Sequence, residues 1–201
     1  MIRPDRIRPR LAAPVAAFAV FVLCLTVLPG AAALVQVDAD LNDGLVPAGF
    51  TLSTTNNAGL ANGRLQAVAT NGSGRLFYGS LPGGLSQVDI GYRGHFGPSQ
   101  WGTYTQIELA GVATLFHGYS NFNFPGVNRA SVGTSSATNP ANFSDFDYAI
   151  TIVDGRIDFS GTDIATGIQE FSLTYTDAGI QLDNLTQIGF RAHNTTGTEP
   201  V

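Results

Sequence analysis

Tyr148-Ala149-Ile150-Thr151-Ile152-Val153-Asp154-Gly155-Arg156-Ile157-Asp158-Phe159 is the stretch whose reading decides the fold. Its side chains alternate with period two, the repeat of a strand and not of a helix. Tyr148, Ile150 and Ile152 point one way, and Ile157 and Phe159 point the same way across the pair. Asp154-Gly155 between them supplies the positive φ angles of a tight hairpin. A pair with one apolar and one polar face belongs to an antiparallel sheet that is dry on one side and wet on the other.

The same grammar extends to both sides. Phe171-Ser172-Leu173-Thr174-Tyr175-Thr176 alternates apolar and hydroxyl side chains before a turn at Asp177-Ala178-Gly179, and Ile188-Gly189-Phe190-Arg191-Ala192 alternates again. Shorter strand candidates are Gly63 to Ala69, Leu76 to Gly79, Gln87 to Tyr92, Thr105 to Leu109 and Val112 to His117. No stretch after the first thirty-three residues carries a sustained helical stripe with caps. About ten short strands with a turn signal every eight to twelve residues predict an all-β, antiparallel two-sheet sandwich or a barrel. No internal repeat is visible, which argues against a propeller. Ser131 to Asn142, rich in Ser, Thr, Ala and Asn, reads as the longest loop.

The first thirty-three residues read differently. Arg3, Arg6, Arg8 and Arg10 lead an apolar run from Leu11 to Leu28, and Pro29-Gly30 breaks it before Ala31-Ala32-Ala33. Basic, apolar and small-residue segments in that order predict a helical secretory signal over 1–33, cleaved to leave a single domain over 34–201. Pro14 shortens the apolar run below what a bilayer span needs. The expected location is therefore extracellular, with no membrane attachment after cleavage.

Composition excludes more chemistry than it establishes. The chain has no lysine, which removes phosphate loops ending in Gly-Lys, Schiff-base chemistry and any lysine general base. Its one cysteine, Cys24, lies in the leader, so residues 34–201 hold no disulfide and no thiol nucleophile. Those residues retain six arginines against fourteen acids, a net charge of −8 that disfavours nucleic-acid partners. Gly-x-Ser-x-Gly and His-Glu-x-x-His are absent. His95, His117 and His193 are too scattered for a metal site by spacing alone.

The opening of the predicted domain, Asp40-Leu41-Asn42-Asp43-Gly44-Leu45-Val46-Pro47-Ala48-Gly49-Phe50-Thr51, resembles the start of bacterial secreted domains of the concanavalin A-like lectin/glucanase type. Asn62-Gly63-Arg64-Leu65, the Asp154-Gly155 hairpin and Leu182 to Asn194 extend the likeness over most of 34–201. The resemblance implies a concanavalin A-like jelly roll. Such domains close with a last strand, after a Thr-Thr-Gly region, that lies beside the first; no such strand follows Thr195-Thr196-Gly197, so the resemblance implies either that the closing strand is supplied differently or that the sandwich lacks it and has one exposed edge. Glucanases of this type carry paired carboxylates as Glu-x-Asp-x-x-Glu on one strand, and none of Glu108, Glu170 or Glu199 begins that motif.

The expected activity is therefore binding without catalysis, of a glycan or cell-surface polysaccharide, or a role as an envelope or matrix module. Gln100 to Phe124 is the richest candidate surface, with Trp101, Tyr104, His117, Tyr119 and Asn121 as candidate sugar contacts. Aromatic rings stack on the apolar face of a sugar while amides and hydroxyls bond its rim. The alternative is that these rings are sandwich core. No cofactor is required, although Asn142, Asp145 and Asp147 place oxygen donors at spacings that suit Ca²⁺ as well as ordinary turn chemistry. Two other readings stay open: a divergent hydrolase using Asp145 or Asp147 with Glu108, and an exported structural protein with no small ligand.

Overall fold

The computed structural model describes residues 20–26, 35–55, 58–61, 63–67, 72–79, 81–95, 104–119, 128–139 and 145–194. They form a two-sheet antiparallel sandwich with a small hairpin against it. One sheet has six strands in the order β14 (Gln169–Thr176), β13 (Arg156–Asp163), β12 (Asp145–Val153), β7 (Gln87–His95), β1 (Val20–Thr26) and β2 (Val35–Asp40). The other has seven, in the order β11 (Ser135–Asn139), β10 (Asn128–Val132), β9 (Ala113–Tyr119), β8 (Tyr104–Ala110), β15 (Gln187–Asn194), β6 (Gly72–Tyr78) and β3 (Phe50–Thr55). The hairpin is β4 (Ala58–Ala61) with β5 (Arg64–Ala67), and its Leu60 and Leu65 pack against the core. A short 3-10 turn, Leu182–Asn184, precedes β15.

The deciding stretch folds as its alternation dictates. Ile152 pairs with Ile157 and Ile150 with Phe159, and Gly155 turns the chain at φ 78°, where an L side chain would be strained. Phe146, Tyr148, Ile150, Ile152, Ile157 and Phe159 are all buried, while Asp147 and Ala149 face solvent. Burial of each large apolar side chain contributes about 1.5–3 kcal/mol, so this hairpin alone anchors its sheet. Facing it from the other sheet are Leu76, Ile107, Leu109, Leu115, Ile188 and Phe190, each the inward partner of an alternating strand. At one side of the sandwich the edge strands meet: Ser135 Oγ donates to the Thr174 carbonyl at 2.8 Å, tying β11 to β14. Asp163, almost fully buried, closes the turn after β13 by accepting the Ala165 and Thr166 amides at 2.8 and 3.3 Å.

Two expectations need correction. Residues 131–139 are not loop but the greater part of the β10–β11 hairpin, turned at 133–134. Ala130 and Val132 face inward at 0% exposure while Ser131 and Ser136 face out, an alternation obscured by reading the segment from Ser131. The rest of that stretch, 140–142, lies outside the described residues.

The second correction concerns the leader, whose expected helix does not hold at 20–26. These residues form β1, antiparallel to β7 on one side and to β2 on the other. Val20-Phe21-Val22 brings β-branched and aromatic residues suited to a strand, and both backbone edges find partners there. The closing-strand expectation meets the same place in the sheet: the position beside β2 is filled by β1.

Candidate functional site

The outer face of the seven-stranded sheet collects the surface chemistry. Register sets its residues in lanes across the strands. One lane runs Thr51, Phe77, Gly189, Glu108 and Thr114 from β3 to β9. The next runs Ser53, Arg75, Arg191, Gln106, Phe116 and Ser131. A third carries Ser73, His193, Tyr104, Gly118 and Arg129. Period-two alternation puts these positions opposite Leu76, Ile107, Leu115, Ile188 and Phe190, which fill the core.

Gly189 shapes the centre of this face. A Cβ there would lie 2.7 Å from the Phe77 ring and 3.3 Å from the Glu108 Cβ, so the absent side chain lets Phe77 lean over β15. The same notch lets Arg75 on β6 reach Glu108 on β8, Nη2 to Oε1 at 3.4 Å. Arg191 donates from Nε to Ser73 Oγ at 3.0 Å. His193 is pushed down to about 4, first by burial and then by the positive charge of Arg191 and Arg75, so it is neutral at physiological pH. An open hollow of about 400 Å³ around the β8–β9 turn, lined by Glu108, Ala110, Val112 and Thr114 among others, borders the face. Together these groups offer ring faces, guanidinium donors, hydroxyls and one carboxylate acceptor, the inventory that recognises a polyol.

The residues singled out from sequence separate. His117 is not a surface contact: it lies on β9 with 0% exposure, facing the opposite sheet. Its Nδ1 shares a hydrogen bond with the Tyr148 hydroxyl at 2.5 Å, and its ring meets Phe146 and Phe171 edge-on at centroid distances of 4.9 and 5.0 Å. Burial lowers its pKa to about 3. A sugar hydroxyl cannot reach it, so its assignment as a glycan contact is withdrawn; the alternative of sandwich core holds for this residue. Tyr104 and Tyr119 occupy the first position of β8 and the last of β9. Trp101, Asn121 and Asn142 lie outside the described residues.

Asp145 opens β12, half-buried, and its carbonyl accepts the Ile164 amide at 2.9 Å. Asp147 is exposed and held by Arg93, with Nε to Oδ1 at 2.9 Å and Nη2 to Oδ2 at 3.3 Å. Both oxygens of Asp147 are therefore engaged by a guanidinium fork, and among the described residues no group of three or more His, Cys, Asp or Glu side chains is placed to hold a metal. The pairing of Asp145 or Asp147 with Glu108 does not form. Asp147 projects from the outer face of the six-stranded sheet and Glu108 from that of the seven-stranded sheet. Packed sheets lie about 10 Å apart and these side chains diverge further, beyond the roughly 5–9.5 Å that separates glycosidase carboxylates.

Arg75, Phe77 and Arg191 were not singled out by motif; Glu108 entered only as a carboxylate of the hydrolase reading and His193 only as a histidine too scattered for a metal. Their signal is alternation: each sits one residue from a buried apolar neighbour.

No protein-family model and no curated protein matches the sequence. Solved structures do match its fold. The chain is similar to the exoplasmic/lumenal domain of VIP36 in its metal-free form, with 13% identity, TM-score 0.58, and coverage of 80% of this chain and 84% of that one. It is also similar to lectin UEA-II complexed with galactose, at 10% identity and TM-score 0.57, covering 89% and 92%. A third is the CBM2 module of the evolved Dit of Lactobacillus casei BL23 phage J-1, at 14% identity and TM-score 0.54, covering 87% and 90%. The chain has the concanavalin A-like jelly-roll fold.

Proposed function

We propose that this chain is an exported, non-catalytic carbohydrate-binding module whose glycan platform is the outer face of the seven-stranded sheet. The observation that carries the reading is Phe77 leaning over Gly189, flanked by the Arg75–Glu108 pair and by Arg191. An aromatic ring beside fixed donors and an acceptor is what a sugar requires, since its C–H face stacks and its hydroxyls bond. The fold neighbours support the same reading, because a galactose-bound lectin and a carbohydrate-binding module are among them. Export rests on the basic, apolar and small-residue order of the first thirty-three residues. Binding is favoured over hydrolysis because Glu108 is the single carboxylate among the described strand residues of this face, whereas glycosidases work with two.

The test is retention on a panel of polysaccharides by affinity electrophoresis, comparing the chain with Phe77→Ala. Slowed migration that the substitution weakens at least tenfold, with folding intact by circular dichroism, supports the reading. Migration unaffected by every polysaccharide, or retention indifferent to Phe77→Ala, overturns it.

A further inference from the structure

The outer faces of the two sheets differ in charge. On the six-stranded sheet the described outward residues include Asp89, Asp145, Asp147 and Asp158, against Arg93 and Arg156. Those two arginines are ion-paired, Arg93 with Asp147 and Arg156 with Asp158 at 2.7 Å. On the seven-stranded sheet the described residues present Arg75, Arg129 and Arg191 against Glu108 alone, and Glu108 pairs with Arg75 at 3.4 Å, so here too an ion pair forms but positive charge is in excess. Half of the six arginines in residues 34–201 therefore lie on the one face that also carries the aromatic ring.

A domain with a net charge of −8 over 34–201 concentrates cation where the proposed ligand sits.

We infer that the glycan taken by this face is anionic, a polysaccharide bearing uronate carboxylates that meet Arg75, Arg191 and Arg129 across two neighbouring lanes. This rests on the glycan-binding reading above. Guanidinium groups match carboxylates with two parallel hydrogen bonds, a geometry that a neutral hydroxyl cannot use fully. Arg75 and Arg191 sit opposite each other on neighbouring strands about 4.8 Å apart, and Arg129 lies three strands beyond Arg191, about 14 Å across the sheet and two residues along it, in the lane of His193. The cations thus run across the strands, as an extended chain would lie. Screening lets the local charge prevail over the net charge. The charged side chains of the two faces point away from each other, so their separation exceeds the roughly 10 Å between sheets, and for a ligand in solvent at the basic face the Debye length of about 8 Å at physiological ionic strength makes the nearby arginines outweigh the distant acids.

The experiment uses the full chain in affinity gels containing polygalacturonate, its fully methyl-esterified form, dextran or dextran sulfate, with single-stranded DNA as a further polyanion. Retention by polygalacturonate that methyl esterification abolishes is expected. It should weaken about tenfold in each of Arg191→Gln and Arg129→Gln, and be unchanged in Arg93→Gln on the opposite face. Added salt to 0.5 M should weaken it as well, by about tenfold or more.

Equal retention by the esterified polymer, or by dextran, overturns the anionic assignment while leaving glycan binding in place. Binding to dextran sulfate or DNA but not to polygalacturonate overturns the uronate assignment. Indifference to both Arg191→Gln and Arg129→Gln overturns the location. If none of the polysaccharides retains the chain, the glycan reading itself fails.

Discussion

Acid should destabilise this sandwich through His117. The ring is buried between the sheets with its Nδ1 bonded to Tyr148, and burial lowers its pKa to about 3 from an ordinary 6.5. In the unfolded chain the imidazole takes up a proton below pH 6.5; in the folded chain it stays neutral until about pH 3. Stability from this group is thus fully present above pH 6.5 and is lost as pH falls toward 3, because the unfolded state binds the extra proton. At pH 5 the gap of about 1.5 pH units from 6.5 corresponds to about 2 kcal/mol lost relative to pH 7. For a domain of this size that is a fall of roughly 4–8 °C in Tm.

His193 shifts in the same direction, with a smaller contribution because it is only half-buried, so His193→Gln is the background for the comparison. The assay is urea denaturation followed by far-ultraviolet circular dichroism at pH 7 and pH 5, on His193→Gln with and without His117→Gln. A Gln at 117 keeps a polar partner for the Tyr148 hydroxyl and removes the titration. Its absolute stability will fall, but the loss between pH 7 and pH 5 should shrink by about 2 kcal/mol. An undiminished loss in the double variant refutes the assignment of acid lability to this buried ring.

Two glycines should respond for different reasons. Gly155→Ala meets no atom within 4 Å and is strained only by its φ of 78°, so chemical denaturation should show a loss of about 1–2 kcal/mol. Gly161→Ala would place a Cβ 2.4 Å from the Phe171 ring inside the aromatic core, and should cost more, about 2–3 kcal/mol or beyond. Ile152→Ala, at 0% exposure, should lose about 2–5 kcal/mol in the same assay. Producing residues 34–201 alone removes β1 and bares the β7 edge from Gln87 to Gly91; light scattering should show self-association, and a synthetic peptide of residues 18–28 should suppress it. Saturating calcium should leave Tm within 1 °C of the value with chelator, because Arg93 already holds both oxygens of Asp147; a rise of several degrees would restore the metal reading.

What the sequence made legible follows from what alternation encodes. Tyr148 to Phe159 showed which residues face inward and where the chain turns, since a one-residue slip would carry every large side chain to the wrong face. The structure pairs Ile152 with Ile157 as that reading requires. β10 and β11 were not legible, because their inward set is short and their Ser and Thr side chains resemble loop composition. Strand β1 was hidden for another reason. An apolar run rich in Val, Phe and Leu satisfies the pattern of an export signal and of a buried strand alike, and the chemistry of Val20 to Thr26 does not distinguish them.

The functional face tests the limits of motif reading more sharply. Composition drew attention to aromatic-rich Gln100 to Phe124, yet within that stretch alternation sends neighbours to opposite sides: His117 enters the core, while Phe116 lies in the outward lane beside Ser131. A cluster in sequence is therefore split by the sheet. Conversely, Arg75, Glu108, Phe77 and Arg191 come from three strands and as many as 116 positions apart, and only the register of β6, β15 and β8 brings them together. No spacing rule could have joined them, because sheet order places β15 between β6 and β8. The alternation of each strand alone marks them as outward; which outward residues become neighbours is a property of topology. The chemistry of the face, cation beside aromatic ring beside one carboxylate, is thus a consequence of strand order acting on an otherwise acidic chain.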